Sequence, residues 1–139
     1  MTTNARFDTK IAVALREDLA TWQRLNVTAF LSSGIAADDE LLGEPYADAD
    51  GTAYTPMFRQ PVLVFEADGE LITRAHRKAV ERGLTVVVFT EELFTTAHDE
   101  ANRAAVGAVG RDDLALVGLG LHGPRNAVDK ILKGARLHG

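Results

Sequence analysis

Short apolar runs separated by amphipathic segments are the main pattern of this sequence. Four runs rich in Val, Ile, Leu or Phe lie at residues 11–15, 62–65, 86–89 and 114–121. Each run is too short for a helix, and a continuous apolar run is typical of a strand that is covered on both faces. The pattern therefore predicts a central sheet with helices on both sides.

The segments between the runs have helical spacing. They predict four helices, at residues 19–34, 68–83, 98–109 and from 124 onward. Asp68 is a suitable N-cap, Pro124 is a favoured first-turn residue, and Gly83 is a suitable C-terminal stop. Because strands and helices alternate, we expect one α/β domain over residues 1–139, with a mostly parallel sheet.

The first predicted helix carries apolar residues on two sides. One stripe holds Leu19, Trp22, Leu25 and Ala29, and another side holds Val27, Phe30 and Leu31. This distribution predicts a helix that is buried on more than one face.

Residues 35–60 do not fit the alternation. Six acidic residues occur there before the first basic residue, Arg59, and Asp50-Gly51 between Tyr46 and Tyr54 is a hairpin signal. A connection of this length in a compact domain is often functional, so we weigh a flap or lid against a simple solvated loop.

Composition narrows the range of functions. The chain has 139 residues, 46% of them hydrophobic, no cysteine and a net charge of -5. The absence of cysteine excludes disulfides, thiol nucleophiles and thiolate metal sites, and fits a reducing, cytoplasmic location. No apolar run approaches the roughly 20 residues of a membrane span, so we expect no membrane association. The four histidines are scattered, and we expect neither a metal nor another cofactor.

Two short features suggest nucleotides or nucleic acid. Residues 118–123, GLGLHG, match the G-x-G-x-x-G pattern, but the chain has no room for the strand and acidic residue that should follow. Gly118 and Gly120 fit better in the last strand, where small residues admit a close helix. Basic residues cluster on two predicted helices, and each cluster is either a phosphate contact or a solvated face. The first cluster is Arg74, Arg77, Lys78 and Arg82, and the second is Arg125, Lys130, Lys133 and Arg136.

Polar residues near strand ends are the stronger candidates, because open α/β sheets bind ligands outside the carboxyl ends of their strands. The first group is Arg16 and Asp18 after the first run, with Asn26 in the apolar helix. The second group follows the third run and consists of Thr95, Thr96, His98 and Asn102. Both groups are predicted to converge on one cleft, unless Asp18 and a threonine are helix caps and Arg16 is a surface cation.

Four long segments carry a resemblance to a known family. They are REDLATWQRLNVTAFLSSG, LLGEPYADADGTAYTPMFRQPVLVF, FTEELFTTAHDEANRAAV and GPRNAVDKILKGARLH. The chain resembles, from Lys10 to His138, a bacterial family known only as domain of unknown function number two thousand. That family in turn resembles the type II peptidyl-tRNA hydrolases. This second resemblance implies a three-layer α/β/α sandwich with a four-stranded mixed sheet whose last strand is antiparallel.

The hydrolase resemblance also implies roles for individual residues. Arg16 and Asp18 match the segment after the first strand, and Glu91 or Glu92 with Thr95 or Thr96 match an acidic residue and a threonine after the third strand. Asn26 takes the place of the lysine that is tied to activity, and an asparagine supplies neither a positive charge nor a general base.

Three hypotheses follow. In the first, the cleft binds a small molecule or a nucleotide end without turnover. In the second, the protein hydrolyses peptidyl-tRNA or a related acyl ester, with His98 as general base, Asn26 and Asp18 in the site, and Arg16, Thr95, Thr96 and Asn102 holding substrate. In the third, it is an interaction module, and we expect a homodimer.

Overall fold

A computed structural model describes residues 7–139, which contain seven strands and four α-helices joined by turns, loops and short 3₁₀ helices. In chain order they are β1 (Thr9–Arg16), α1 (Thr21–Ile35), β2 (Tyr46–Ala47), β3 (Ala53–Tyr54), β4 (Val62–Ala67), α2 (Gly69–Glu81), β5 (Thr85–Thr90), α3 (Asp99–Gly107), β6 (Leu116–Pro124), α4 (Arg125–Ile131) and β7 (Arg136–Leu137). The four predicted apolar runs correspond to β1, β4, β5 and β6, so the α/β class is confirmed. Among these helices, none has the length and apolar character needed to cross a membrane.

The central sheet is mixed and has the strand order β5-β6-β1-β4-β7. β1 and β4 pair in parallel, whereas β6 pairs antiparallel with both β1 and β5. The mixed sheet that the resemblance implies is therefore confirmed. The mostly parallel pairing predicted from the alternation of strands and helices is wrong, because β6 runs antiparallel to both of its neighbours. The expected four strands are also wrong, since Arg136 and Leu137 leave the last helix and pair antiparallel with β4.

Helices cover both faces of the sheet. α2 and α4 contribute Leu71, Ile72, Val128 and Ile131 to one core, and α1 contributes Val27 and Leu31 to the other. The predicted boundaries of α2 are accurate for a local reason. Asp68 Oδ1 accepts the backbone N–H of Leu71 at 2.8 Å, and Gly83 follows the helix with a φ of 70°.

Close contact between α1 and β6 depends on two glycines. A Cβ at Gly118 would lie 2.5 Å from Val27 Cγ1, and a Cβ at Gly120 would lie 3.2 Å from Ile35 Cδ1. The GLGLHG segment thus lies in a central strand, as the alternative interpretation predicted. Its first two glycines make room for a helix.

The prediction that α1 is buried on several faces is wrong. Val27, Leu31 and Ile35 are fully buried, but Trp22 is 60% and Leu25 68% exposed. The reason is that α1 lies on a single sheet face, which shields only the stripe at positions i, i+4 and i+8.

Residues 35–60 form a projecting hairpin, as the Asp50-Gly51 signal predicted. Tyr46 pairs with Tyr54 across β2 and β3, and Gly51 in the turn has a φ of 83°. The base of the hairpin is attached to the body by Leu41 and Phe58, which pack with the fully buried Ile35.

We predict that Gly118→Ala destabilises the fold by about 1–3 kcal/mol, the usual cost of overpacking. The added methyl group would collide with Val27 and Leu31, two fully buried side chains that would have to shift. Denaturant unfolding measures the change. Gly107→Ala is the control, since an added Cβ would have no atom within 4 Å beyond its chain neighbours and the backbone of its own helix, and alanine favours a helix. Equal stability of the two variants would contradict the proposed packing.

Candidate functional site

A cavity of about 320 Å³ lies between α1 and the segment that follows β5. Four side chains of the predicted cleft line it: Asn26, Thr96, His98 and Asn102. Four aromatic rings line it as well: Trp22, Phe30, Phe89 and Phe94. We call this space the aromatic cavity.

The four rings form a continuous chain. The ring centroids of Trp22 and Phe94 are 5.7 Å apart, those of Phe94 and Phe89 5.1 Å, and those of Phe89 and Phe30 5.8 Å. Interplanar angles of 52–70° put each pair in a tilted or edge-to-face arrangement, which is favourable for aromatic rings. The chain of contacts gives the cavity an ordered apolar wall.

Helical spacing puts three of the lining residues on one flank of α1. Trp22, Asn26 and Phe30 are four residues apart, so they stack along one side of the helix. All three are exposed, although the cavity lies beside them. Because α1 packs with Val27, Leu31 and Ile35 against Gly118 and Gly120 of β6, the flank that carries Trp22, Asn26 and Phe30 faces the cavity.

The opposite wall comes from a tight turn after β5. A 3₁₀ helix, Glu91–Phe94, carries Phe94 toward α1, and its last carbonyl groups accept side-chain hydroxyl groups. Thr95 Oγ1 donates to Glu92 O at 2.9 Å, and Thr96 Oγ1 donates to Leu93 O at 3.1 Å. The Thr96 hydroxyl also contacts the side-chain amide of Asn102, which joins the turn to α3.

His98 is the N-cap of α3. Its Nδ1 accepts the backbone N–H of Ala101 at 3.2 Å. A neutral imidazole that accepts at Nδ1 carries its proton on Nε2. His98 therefore offers an N–H donor at Nε2, and it would have to give up the cap to act as a base there.

Three of the predicted site residues lie outside the cavity wall. Arg16 Nε donates to Asp18 Oδ1 and Arg16 Nη1 donates to Glu91 Oε1, both at 2.6 Å. The hydrogen bond from Arg16 holds the pKa of Asp18 below its usual value, so this carboxylate stays ionised. Thr95 is exposed and serves the turn. The structure thus brings together Asn26, Thr96, His98 and Asn102, and their functional role stays a prediction.

Sequence reasoning missed the aromatic wall. The spacing of Trp22 and Phe30 at i and i+8 was available, but both were assigned to buried stripes of α1. The contribution of Phe89 and Phe94 depends on the turn after β5, which periodicity does not predict. Within residues 7–139, no group of three or more His, Asp or Glu side chains is arranged to hold a metal ion.

The cavity continues into a second groove of about 520 Å³ between α1 and α3. Phe30, Phe89 and Asn102 line both spaces. Val87 and Val106 form an apolar part of the second groove, and Arg103 lies at its margin beside Asp99. A ligand longer than one ring can therefore extend from the aromatic cavity along α3.

Comparisons with known proteins agree with this fold. The model of a family described as DUF2000, protein of unknown function, matches residues 9–139. The chain is also similar to a solved structure of a protein of unknown function, Atu0240 from Agrobacterium strain C58. The identity is 49% and the TM-score 0.91, over 96% of this chain and 100% of that chain. None of the curated proteins matches the chain.

We predict that His98→Ala lowers the free energy of unfolding by about 1 kcal/mol, the typical value of an N-cap. His98→Asp should lose much less, because aspartate also accepts a backbone N–H at an N-cap. Thermal or denaturant unfolding compares the two variants. An equal loss in both would show that the Ala101 contact does not stabilise α3.

Proposed function

This protein belongs to the DUF2000 family of proteins of unknown function, and we propose that it binds a small molecule with a flat ring, such as the base at a nucleotide end, in the aromatic cavity. The convergence of four rings with the polar side chains of Asn26, Thr96, His98 and Asn102 is the observation that carries this proposal.

The wall of the cavity supports recognition of a ring. Trp22 and Phe94 offer faces and edges on which a flat heterocycle can stack, and such contacts tolerate different ring types. The volume of about 320 Å³ lies at the small end of the range for ligand pockets, so one ring system with a substituent fits it.

The polar groups support recognition of the ring's edge. Asn26 and Asn102 carry carboxamides, each with donors and an acceptor, and His98 contributes an N–H donor. Paired donors and acceptors of this kind match the edge of a nucleobase. Asp99 is the only charged side chain in the described lining, which favours an uncharged ring there, with any charged part of the ligand outside.

The hydrolase alternative receives less support. We infer an architecture related to that of the type II peptidyl-tRNA hydrolases from the sequence segments above, together with the mixed sheet and the helices on its two faces. Hydrolysis, however, needs a base or a cation at the reacting group, and Asn26 supplies neither. His98 uses Nδ1 for the cap, so Nε2 is a donor. Binding without turnover is therefore the favoured function.

We predict that a nucleoside monophosphate quenches the fluorescence of Trp22, the single tryptophan of the chain, in a saturable manner. AMP, GMP, CMP and UMP are titrated separately, and ribose 5-phosphate serves as the ring-free control. Asn26→Ala and Asn102→Ala should each weaken binding about tenfold, the effect of about 1.4 kcal/mol for a lost hydrogen bond. Asn126→Ala, an exposed asparagine on α4, is the matched control.

Two results would contradict ring binding. One is the absence of saturable quenching with all four nucleotides. The other is that ribose 5-phosphate binds as tightly as the nucleotides, or that the Asn26→Ala and Asn102→Ala variants bind nucleotides as tightly as the wild type. In either case the aromatic cavity would not be the binding site.

We also predict that the protein does not cleave N-acetylated aminoacyl-tRNA above background under single-turnover conditions, which isolate the chemical step. A known peptidyl-tRNA hydrolase is the positive control, and Asn26→Lys is assayed in parallel. Cleavage by the wild type that is lost in Asn26→Ala would restore the hydrolase hypothesis. Activity gained only in Asn26→Lys would indicate a hydrolase-like scaffold with a different role.

A further inference from the structure

The second groove beside the aromatic cavity, which lies between α1 and α3, is joined to the cavity by shared walls. We call it the α1–α3 groove. Five residues line both spaces: Phe30, Phe89, Leu93, Asp99 and Asn102. Because so much of the lining is common to both, one bound molecule can occupy the two spaces together.

The two spaces follow each other along both helices. The lining residues of the aromatic cavity fall within 22–30 on α1 and within 96–102 at the start of α3. Those of the α1–α3 groove fall within 30–34 and 99–107. Both helices thus lead in the same sense from the cavity into the groove, so the two spaces lie end to end.

The groove extends the cavity by a short distance. From Phe30 to Gly34 α1 rises about 6 Å, and from Asn102 to Gly107 α3 rises about 7.5 Å, at about 1.5 Å per residue. A chain of about six carbon atoms, with C–C bonds of about 1.5 Å, covers the same distance. A substituent of this length therefore fits in the groove when its ring lies in the cavity.

The walls of the groove are mainly apolar. Val87 and Phe89 of β5 line it on one side and Val106 of α3 on another. Phe30 lies where the two spaces meet, and it is 51% exposed. Apolar surface of this kind gains free energy when an apolar group of a ligand displaces water from it.

The polar side chains of the groove already have partners within the protein. Asp99 and Arg103 are the charged side chains in the described lining, and they form an ion pair with each other on α3. Ser33 Oγ donates to Phe30 O at 2.6 Å. The groove thus offers no unpaired charge to a phosphate or a carboxylate, and it favours an uncharged occupant.

We propose that the ligand of this protein is a flat ring that carries an uncharged apolar chain, with the ring in the aromatic cavity and the chain in the α1–α3 groove. This inference rests on the ring binding proposed above and adds the class of ligand, an alkylated or acylated heterocycle. The volumes agree with a ligand of two parts. The cavity of about 320 Å³ is at the lower limit of ligand pockets, and the groove adds about 520 Å³.

The test measures quenching of Trp22 in the full-length protein by adenine and uracil that carry a methyl or a hexyl group. The group is attached either at the ring nitrogen that bears ribose in nucleosides, or at N6 of adenine and C5 of uracil. For at least one attachment position, we expect the hexyl compound to bind at least tenfold more tightly than its methyl counterpart, because its additional methylene groups leave water.

Variants of α3 show whether the chain lies in the groove. Val106→Asp should bind the methyl compounds like the wild type and lose the gain from the hexyl group. Val106→Thr, a smaller change that spares the fold, should reduce this gain. Val109→Asp is the matched control, since Val109 is also partly buried but lies outside both linings. Leu25→Asp, in a groove on the other flank of α1, should keep the gain as well.

The outcomes separate this inference from ring binding itself. If the nucleotides or the methyl compounds bind but no hexyl group improves binding, the apolar chain is overturned and ring binding stands. The same holds if the hexyl gain survives in both Val106 variants, or is lost equally in Val109→Asp. Absence of saturable quenching by the nucleotides and by all the alkylated bases would overturn both proposals.

Discussion

The position of α1 on the sheet depends on the absence of side chains at two points of β6. Gly118 and Gly120 let Val27, Leu31 and Ile35 approach the strand directly, and a Cβ at either glycine would meet these side chains. Arg24 then holds the beginning of the helix, because its guanidinium donates to Leu19 O at 2.9 Å and to Glu66 of β4 at 2.8 Å. Both flanks of α1 are thus fixed in direction, with the aromatic cavity on one and a groove floored by Leu15, Leu19 and Val64 on the other.

Local signals account for most of the architecture. Continuous apolar runs predicted β1, β4, β5 and β6, and single residues such as Asp68 and Gly83 marked where α2 begins and ends. The order and direction of the strands could not be derived in this way, since hydrophobic pattern specifies burial but not which neighbour a strand pairs with. β7 was missed because two residues are too few to produce a period.

The candidate site was predictable in its polar half. Asn26, Thr96, His98 and Asn102 were predicted because they follow a strand or interrupt an apolar helix, and they do line one cavity. The aromatic side chains of the site were not predictable, since the burial of a large side chain depends on which face of a helix packs against the sheet. For α1 that face is set by glycines about 90 residues further along the chain, a contact that is not encoded locally.

α1 carries very few charged side chains for a helix at the surface of the molecule. Over its 15 residues the helix has one charged side chain, Arg24, although the helix lies at the surface of a chain that is 25% charged. A helix face that remains in water gains solubility from charges, whereas a face that contacts a ligand or a partner would have to desolvate them. The uncharged exposed side of α1, with Trp22 and Phe30 on the flank of the aromatic cavity, is therefore compatible with the ligand binding proposed there.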